Sequence, residues 1–188
     1  MELVRTTIER YVKLTDAEWD LMRPYWRERA FPRGALLTEV GQVEHWFSIV
    51  ASGVQRMFIP HDAEEVCIGF AYGNSWSGVF DPYVTRQPSR FALQAVTDAV
   101  LFSIHHDDLQ ELYGRLPALE RFGRLILEQL VVGRATREIE LLTLDAEQRY
   151  RALLERSPHL LQLVAQKDIA SYLCMTPETF SRLRSKVR

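Results

Sequence analysis

The residues with the most specific chemistry lie between Gln166 and Arg188, in QKDIASYLCMTPETFSRLRSKVR. The segment reads as a helix, a tight turn and a second helix. That second helix turns Glu178, Thr179, Ser181, Arg182, Arg184, Ser185 and Lys186 outward. A row of short hydroxyls, one carboxylate and several cations on one helix face suits the base edges and phosphates of double-stranded DNA. The competing reading is a two-helix hairpin that merely packs. Against it stands the joint presence of a small residue, a turn, a cap and the polar row.

Positioning those side chains needs two helices fixed against each other. Ile169, Ala170 and Leu173 share one face of the first helix, and Phe180, Leu183 and Val187 recur on one face of the second. Ala170 is small enough for a close crossing, and Met175 is placed to fill the corner. Thr176 is a good N-cap and Pro177 falls at the first helical position, where its missing N–H costs nothing. Cys174 occupies the turn.

Charge distribution agrees. The chain's 188 residues carry a net charge of −2, yet residues 145–188 hold 8 Lys/Arg against 5 Asp/Glu, and the remaining residues 15 against 20. The positive excess sits where phosphates would need it. A hydrophobic content of 47% is enough for one or two ordinary cores. No apolar run is long enough to span a bilayer, and the first residues lack the apolar core of a signal peptide, so the expectation is a cytoplasmic protein without a membrane partner. Cys67 and Cys174 alone supply neither a disulfide framework nor a four-cysteine metal site.

Along the chain, residues 1–30 read as helical, with a capping box at Thr15 and Glu18 and a staple from Leu14 to Trp19. From Phe31 to about Ile104 the texture becomes short β-prone runs split by Gly34, Gly41 and Gly53, the pattern of an antiparallel β-roll. Pro117 then opens a long helix to about Leu142. It is apolar on more than one face, so one stripe can cover the β-roll while another meets a second copy of the chain. Leu119, Phe122, Gly123, Ile126, Leu130 and Gly133 are the candidate dimer contacts, the two glycines permitting close approach at a helix cost of about 1 kcal/mol each. The alternative is a helix buried entirely within one chain. Asp145 and Gln148 form a second capping box, and Pro158 ends the helix they open. The expected division is a β-roll unit at 1–116, a dimerisation helix at 117–143 and a helix-turn-helix unit at 144–188. The fold class is α+β.

Other constellations are weaker. Tyr72, Trp76, Phe80 and Tyr83, with Arg86 and Arg90 nearby, form a candidate effector pocket, although such aromatics are more often core. His105, His106, Asp107 and Asp108 are adjacent residues that rarely converge on one ion, so no metal is expected. No phosphate-binding glycine loop or nucleophile motif is present, and neither an enzyme activity nor a cofactor is expected.

Order and motifs together resemble the catabolite-activator and fumarate-nitrate-regulator (Crp/Fnr) family. The carriers are Gly34-x-x-Leu37-x-x-x-Gly41, Ile49-x-x-x-Gly53-x-x-Arg56 and Ile169-Ala-Ser-Tyr-Leu-x-x-Thr-Pro-Glu-Thr-x-Ser-Arg182. The resemblance implies a cyclic-nucleotide-binding-like β-roll, a homodimer on a palindromic operator and RNA polymerase as a further partner. It also places Glu178 and Arg182 on the major-groove side. Three departures matter. Cyclic-AMP-binding relatives carry a Gly-Glu-Leu and an Arg-Ser/Thr-Ala segment, where this chain has Trp76 in place of the Glu and Arg90 one residue out of register. A one-residue slip turns a strand side chain to the other face, so cyclic AMP is not the expected effector. The turn residue that is usually glycine in such regulators is Cys174 here, so the resemblance implies a positive φ at some cost for a residue with a Cβ. The winged domain of such regulators runs beyond the recognition helix, so a truncated wing is expected here. The alternative function is a ligand-binding or interaction module with a vestigial DNA-binding unit.

Overall fold

The computed structural model describes residues 1–62 and 64–186. Two helices, α1 (Glu2–Glu9) and α2 (Asp16–Met22), lead through a 3₁₀ turn at Arg23–Tyr25 into, among the described residues, eight strands. These are β1 (Arg27–Phe31), β2 (Leu36–Thr38), β3 (Trp46–Ser52), β4 (Val54–His61), β5 (Glu64–Tyr72), β6 (Trp76–Ser77), β7 (Ala92–Ala95) and β8 (Ala99–His105), with α3 (Phe80–Thr85) inserted after β6. All pairings are antiparallel, in two four-stranded sheets of order β1-β8-β3-β6 and β2-β7-β4-β5. The rest is helical: α4 (His106–Arg115), α5 (Pro117–Thr143), α6 (Ala146–Arg156), α7 (Leu160–Leu163), α8 (Gln166–Tyr172) and α9 (Pro177–Lys186). The architecture is α+β, with an antiparallel β-roll between helical ends.

Local signals set several boundaries. Thr15 accepts from the Glu18 N–H while Glu18 reaches back to the Thr15 N–H, and Asp145 with Gln148 repeats the device. At Gly53 φ is +86°, and an added Cβ would lie 2.7 Å from the Ala99 Cα, so both the turn and the neighbouring strand demand glycine. The expectation of helix through residue 30 fails at Arg27–Phe31. That stretch pairs with β8 from Arg27 opposite Ser103 to Phe31 opposite Ala99, and strand pairing takes over once the helix has ended in the 3₁₀ turn at Pro24.

The larger core joins α1, α2, β3 and α4 to the first half of α5. Here four of the expected dimer contacts need correction. Leu119, Phe122, Gly123 and Ile126 are buried in this chain's own core, packed with Ile8, Met22 and Ile104, so none can face a partner. Gly123 does admit a close approach, but the visitor is Tyr113 of α4, whose Cζ would lie 2.7 Å from an added Cβ. Leu130 is half-buried against the same core, and Gly133 is exposed with nothing near its Cβ position. The apolar surface left uncovered on α5 is the opposite face: Leu127 44%, Val131 67%, Val132 65%, Ile139 61% and Leu142 78% exposed. Their spacing puts them on one broad stripe away from the core. The helix does have two apolar faces, and periodicity could not say which one this chain covers itself.

Candidate nucleic-acid interface and adjoining cleft

The turn between α8 and α9 is built from a second, smaller core. Ile169, Ala170 and Phe180 are fully buried, Leu173 and Leu183 nearly so, and Met175 packs at the corner. The Tyr150 ring of α6 meets Phe180 edge-on at 5.5 Å. Val187 and Arg188 lie outside the described residues. Cys174 takes φ of +51°, the left-handed geometry its turn position requires. Thr176 Oγ1 accepts from the Thr179 N–H at 3.2 Å, capping α9 one residue before Pro177. Sequence pattern did not single out Arg149, whose guanidinium donates to the carbonyls of Leu144, Leu173 and Cys174. It ties the end of α8 and the turn to α6, satisfying carbonyls that the helix leaves free.

The outward row of α9 stands as its spacing implies. Thr176, Glu178, Ser181, Arg182, Arg184, Ser185 and Lys186 are exposed and Thr179 is half-buried. The Glu178 carboxyl is held below the usual carboxylate range by its own backbone N–H and by the Thr176 hydroxyl. Ser185 Oγ donates to the Ser181 carbonyl at 2.8 Å. Lys186 Nζ reaches Glu147 at 2.7 Å, an exposed pair that a phosphate can replace at little cost.

This unit is seated on the β-roll. Arg56 of β4 donates to Asp168 of α8 at 2.7 Å, to Glu65 of β5 and to Gln94 of β7 at 2.9 Å, and both members of the Arg56–Asp168 pair are about nine-tenths buried. The backbone N–H of Cys67 donates to Ser171 Oγ at 2.9 Å, and Phe70 meets the Tyr172 ring at 5.2 Å. A cation inside the apolar run Val54–Ile59 was the one sequence sign that a buried carboxylate had to lie nearby.

Between α5 and β4–β7 lies a cleft of about 760 Å³. Of the six expected pocket residues it brings together two, Trp76 and Phe80. Trp76 stacks on Phe47 at 4.9 Å and meets Phe122 at 5.2 Å. The other four need correction. Tyr72 points to the C-terminal helices, hydrogen-bonding Ser157 and meeting His159 at 4.5 Å. Tyr83 is buried beside Phe47 and His106, and burial pushes its phenol well above the usual range. The Arg86 guanidinium is used on the Glu44 carbonyl and His45 Nδ1, and Arg90 is exposed with its guanidinium 5.7 Å from the Phe91 ring. Linear proximity grouped these residues, whereas strand alternation and the αL residue Arg86 send them different ways. The cleft's cations are instead Arg134 and Arg137 of α5.

Among the described residues no group of three or more His, Cys, Asp or Glu side chains is placed to hold a metal ion, and no helix is long and apolar enough to cross a membrane. His106 Nδ1 contacts Asp107 Oδ1 at 2.8 Å, and that contact holds the exposed Asp107 carboxyl below its usual range.

A scan of protein-family models finds no match to the chain. The fumarate and nitrate reduction regulatory protein of Yersinia pestis is 25% identical over 169 residues, covering 84% of this chain and 67% of that protein. Among solved structures, FixK2 from Bradyrhizobium japonicum superposes with a TM-score of 0.75 at 17% identity, covering 86% of this chain and 84% of that one. The Thermus thermophilus catabolite activator protein superposes at 0.57 with 24% identity, covering 93% and 84%. The resemblance to the Crp/Fnr regulators drawn from the helix-turn-helix and glycine spacing is thus met in both sequence and fold.

Proposed function

We propose that this chain, similar to Crp/Fnr regulators in sequence and fold, is a DNA-binding transcription regulator rather than an enzyme. The observation that carries the reading is α9. It is capped at Thr176, fixed by Phe180 and Leu183 in the small core, and leaves Arg182, Arg184 and Lys186 exposed. Cations near the C-terminal end of α9 also complement its dipole, so the reading rests on their joint presence with the cap, the tight turn and the row of short hydroxyls. Arg182 is the candidate for a bidentate contact to guanine and Glu178 for accepting from a cytosine N4. Lys186 and Arg184 are assigned to phosphates.

The regulator is proposed to act as a homodimer through the exposed stripe Leu127, Val131, Ile139 and Leu142. Two-fold symmetry then calls for a palindromic operator with half-sites about one helical turn apart. Cyclic AMP is not the proposed signal, because neither Arg86 nor Arg90 lines the cleft and Trp76 stands where the resemblance calls for a carboxylate.

The test is a selection of bound duplexes followed by salt-dependent titration. Arg182→Ala should cost about 1–3 kcal/mol and relax preference at one half-site position, while Lys186→Ala should weaken all sequences alike and reduce the salt slope by about one unit. Unchanged affinity and sequence preference in Arg182→Ala would remove α9 as the reading helix.

A further inference from the structure

Three successive carbonyls end α8 and enter the turn, and each is held by a guanidinium that reaches in from another helix. Arg137 of α5 donates to the Tyr172 carbonyl, with its guanidinium carbon 3.7 Å from the centroid of the same residue's ring. Arg149 of α6 donates through Nε to the Leu173 carbonyl at 2.8 Å and through Nη2 to the Cys174 carbonyl at 3.3 Å. Its remaining nitrogen, Nη1, donates to the Leu144 carbonyl at 2.6 Å. Leu144 is the extended residue that joins α5 to α6. One side chain is therefore bonded both to the joint that leaves α5 and to the turn that leads into α9.

The chemistry suits a fixed angle better than it suits mere adhesion. Helix C-termini leave carbonyls without intrahelical donors and carry the negative end of the helix dipole, so a cation is favoured there without a carboxylate beside it. The apolar core beneath, where Tyr150 meets Phe180, holds α9 down, but burial of apolar surface is not directional. A guanidinium is planar, with its donors at set angles, so bonding carbonyls of two chain segments leaves those segments little freedom to pivot.

A reading helix magnifies any error at its root. At about 1.5 Å per residue, the ten residues of α9 form a lever of about 15 Å. A swing of about 13° at the turn then moves the far end by about 3.4 Å, one base-pair step. In a two-fold dimer the partner helix swings by the same angle in the symmetric sense, so the separation of the two reading helices changes twice over.

We propose that Arg149, assisted by Arg137, is the positioning element that fixes α9 relative to α5 and so sets which half-site separation the dimer accepts. The proposal rests on α9 reading DNA and on α5 pairing two chains. Arg182 selects bases within a half-site, whereas Arg149 acts through the turn and selects the distance between half-sites.

The test uses the full chain and duplexes carrying two copies of the selected half-site, at the selected separation and at separations changed by one and two base pairs. The unaltered chain should favour one separation over its one-base-pair neighbours by about tenfold or more. Arg149→Gln should reduce that preference to about threefold or less, with the base preference at the Arg182 position unchanged. Arg149→Lys keeps the charge without the fork and should lose the preference as Arg149→Gln does. Arg137→Gln leaves the bond to the Leu144 joint intact and should lose part of it, and this variant decides the matter if Arg149→Gln does not fold. A side chain that only kept the unit folded, or only attracted phosphates, would lower affinity at every separation by one factor. That result, with the ratios between separations unchanged in every variant that folds, overturns the proposal.

A chain that binds no duplex, or single half-sites only, refutes the reading on which the proposal rests, and a measurement without DNA then decides it. Spin labels at Arg121→Cys and Ser185→Cys, both exposed positions, are placed on a Cys174→Ser background in which Cys67 is buried. Diluted with unlabelled chain so that only intrachain pairs are read, they should give one narrow distance distribution, and a clearly broader one after Arg149→Gln. An unchanged width overturns the positioning role whatever α9 binds.

Discussion

Gly123 and Gly133 sit on one helix ten residues apart, and the structure gives them opposite fates when a methyl group is added. Both substitutions to alanine gain the same helix propensity, about 1 kcal/mol. At Gly133 nothing lies within 4 Å of the new Cβ, so that gain stands alone. At Gly123 the Cβ would lie 2.7 Å from Tyr113 Cζ and closer still to the hydroxyl, so the ring must move. Tyr113 is itself packed against the large core, and burial pushes its phenol up to about 12. Forcing a methyl into such a site costs about 1–3 kcal/mol. The propensity gain cancels between the two variants, so their difference is the packing cost alone. At about 2–4 °C per kcal/mol for a chain of this size, Gly123→Ala should melt about 2–12 °C below Gly133→Ala. The assay is thermal unfolding followed by circular dichroism at matched concentration. Equal increases in both variants would refute the placement of Tyr113 against Gly123. A large loss at Gly133 that vanishes on dilution would place that glycine in a subunit contact after all.

The dimer face is tested by two double substitutions on α5. Leu127→Glu with Val131→Glu should give a folded monomer by sedimentation, whereas Ile126→Glu with Leu130→Glu should lose folded signal because Ile126 is 1% exposed in the core. Calorimetry with cyclic AMP should give no low-micromolar binding and no change in duplex affinity. The cysteines should separate in a maleimide time course: exposed Cys174 reacts in the native protein, while buried Cys67, its thiol pushed up to about 12 by desolvation, reacts only after denaturation. Removing Arg56 alone, as Arg56→Met, should cost about 3–5 kcal/mol by stranding Asp168, with much of the loss recovered in Arg56→Met with Asp168→Leu.

Features that depend on a few neighbouring residues could be read from the sequence. The capping boxes at Thr15 and Asp145, the cap at Thr176, the start of a long helix at Pro117 and the β-prone runs between Gly34 and Ile104 are each set by local hydrogen bonding or dihedral preference. The positive φ at Cys174 was legible from the resemblance, whose turn residue is usually glycine. Tertiary structure decided the rest. Periodicity marks an apolar face without saying what covers it, so Phe122 and Ile126 went to this chain's own core while Val131 and Leu142 were left free. Arg27–Phe31 became a strand only because β8 was there to pair with it. Arg56 and Asp168, 112 residues apart, meet only when α8 docks on β5, and Tyr172 enters the cleft by the same contact. Such pairings are fixed by which surfaces exclude water together, and that is a property of the folded whole.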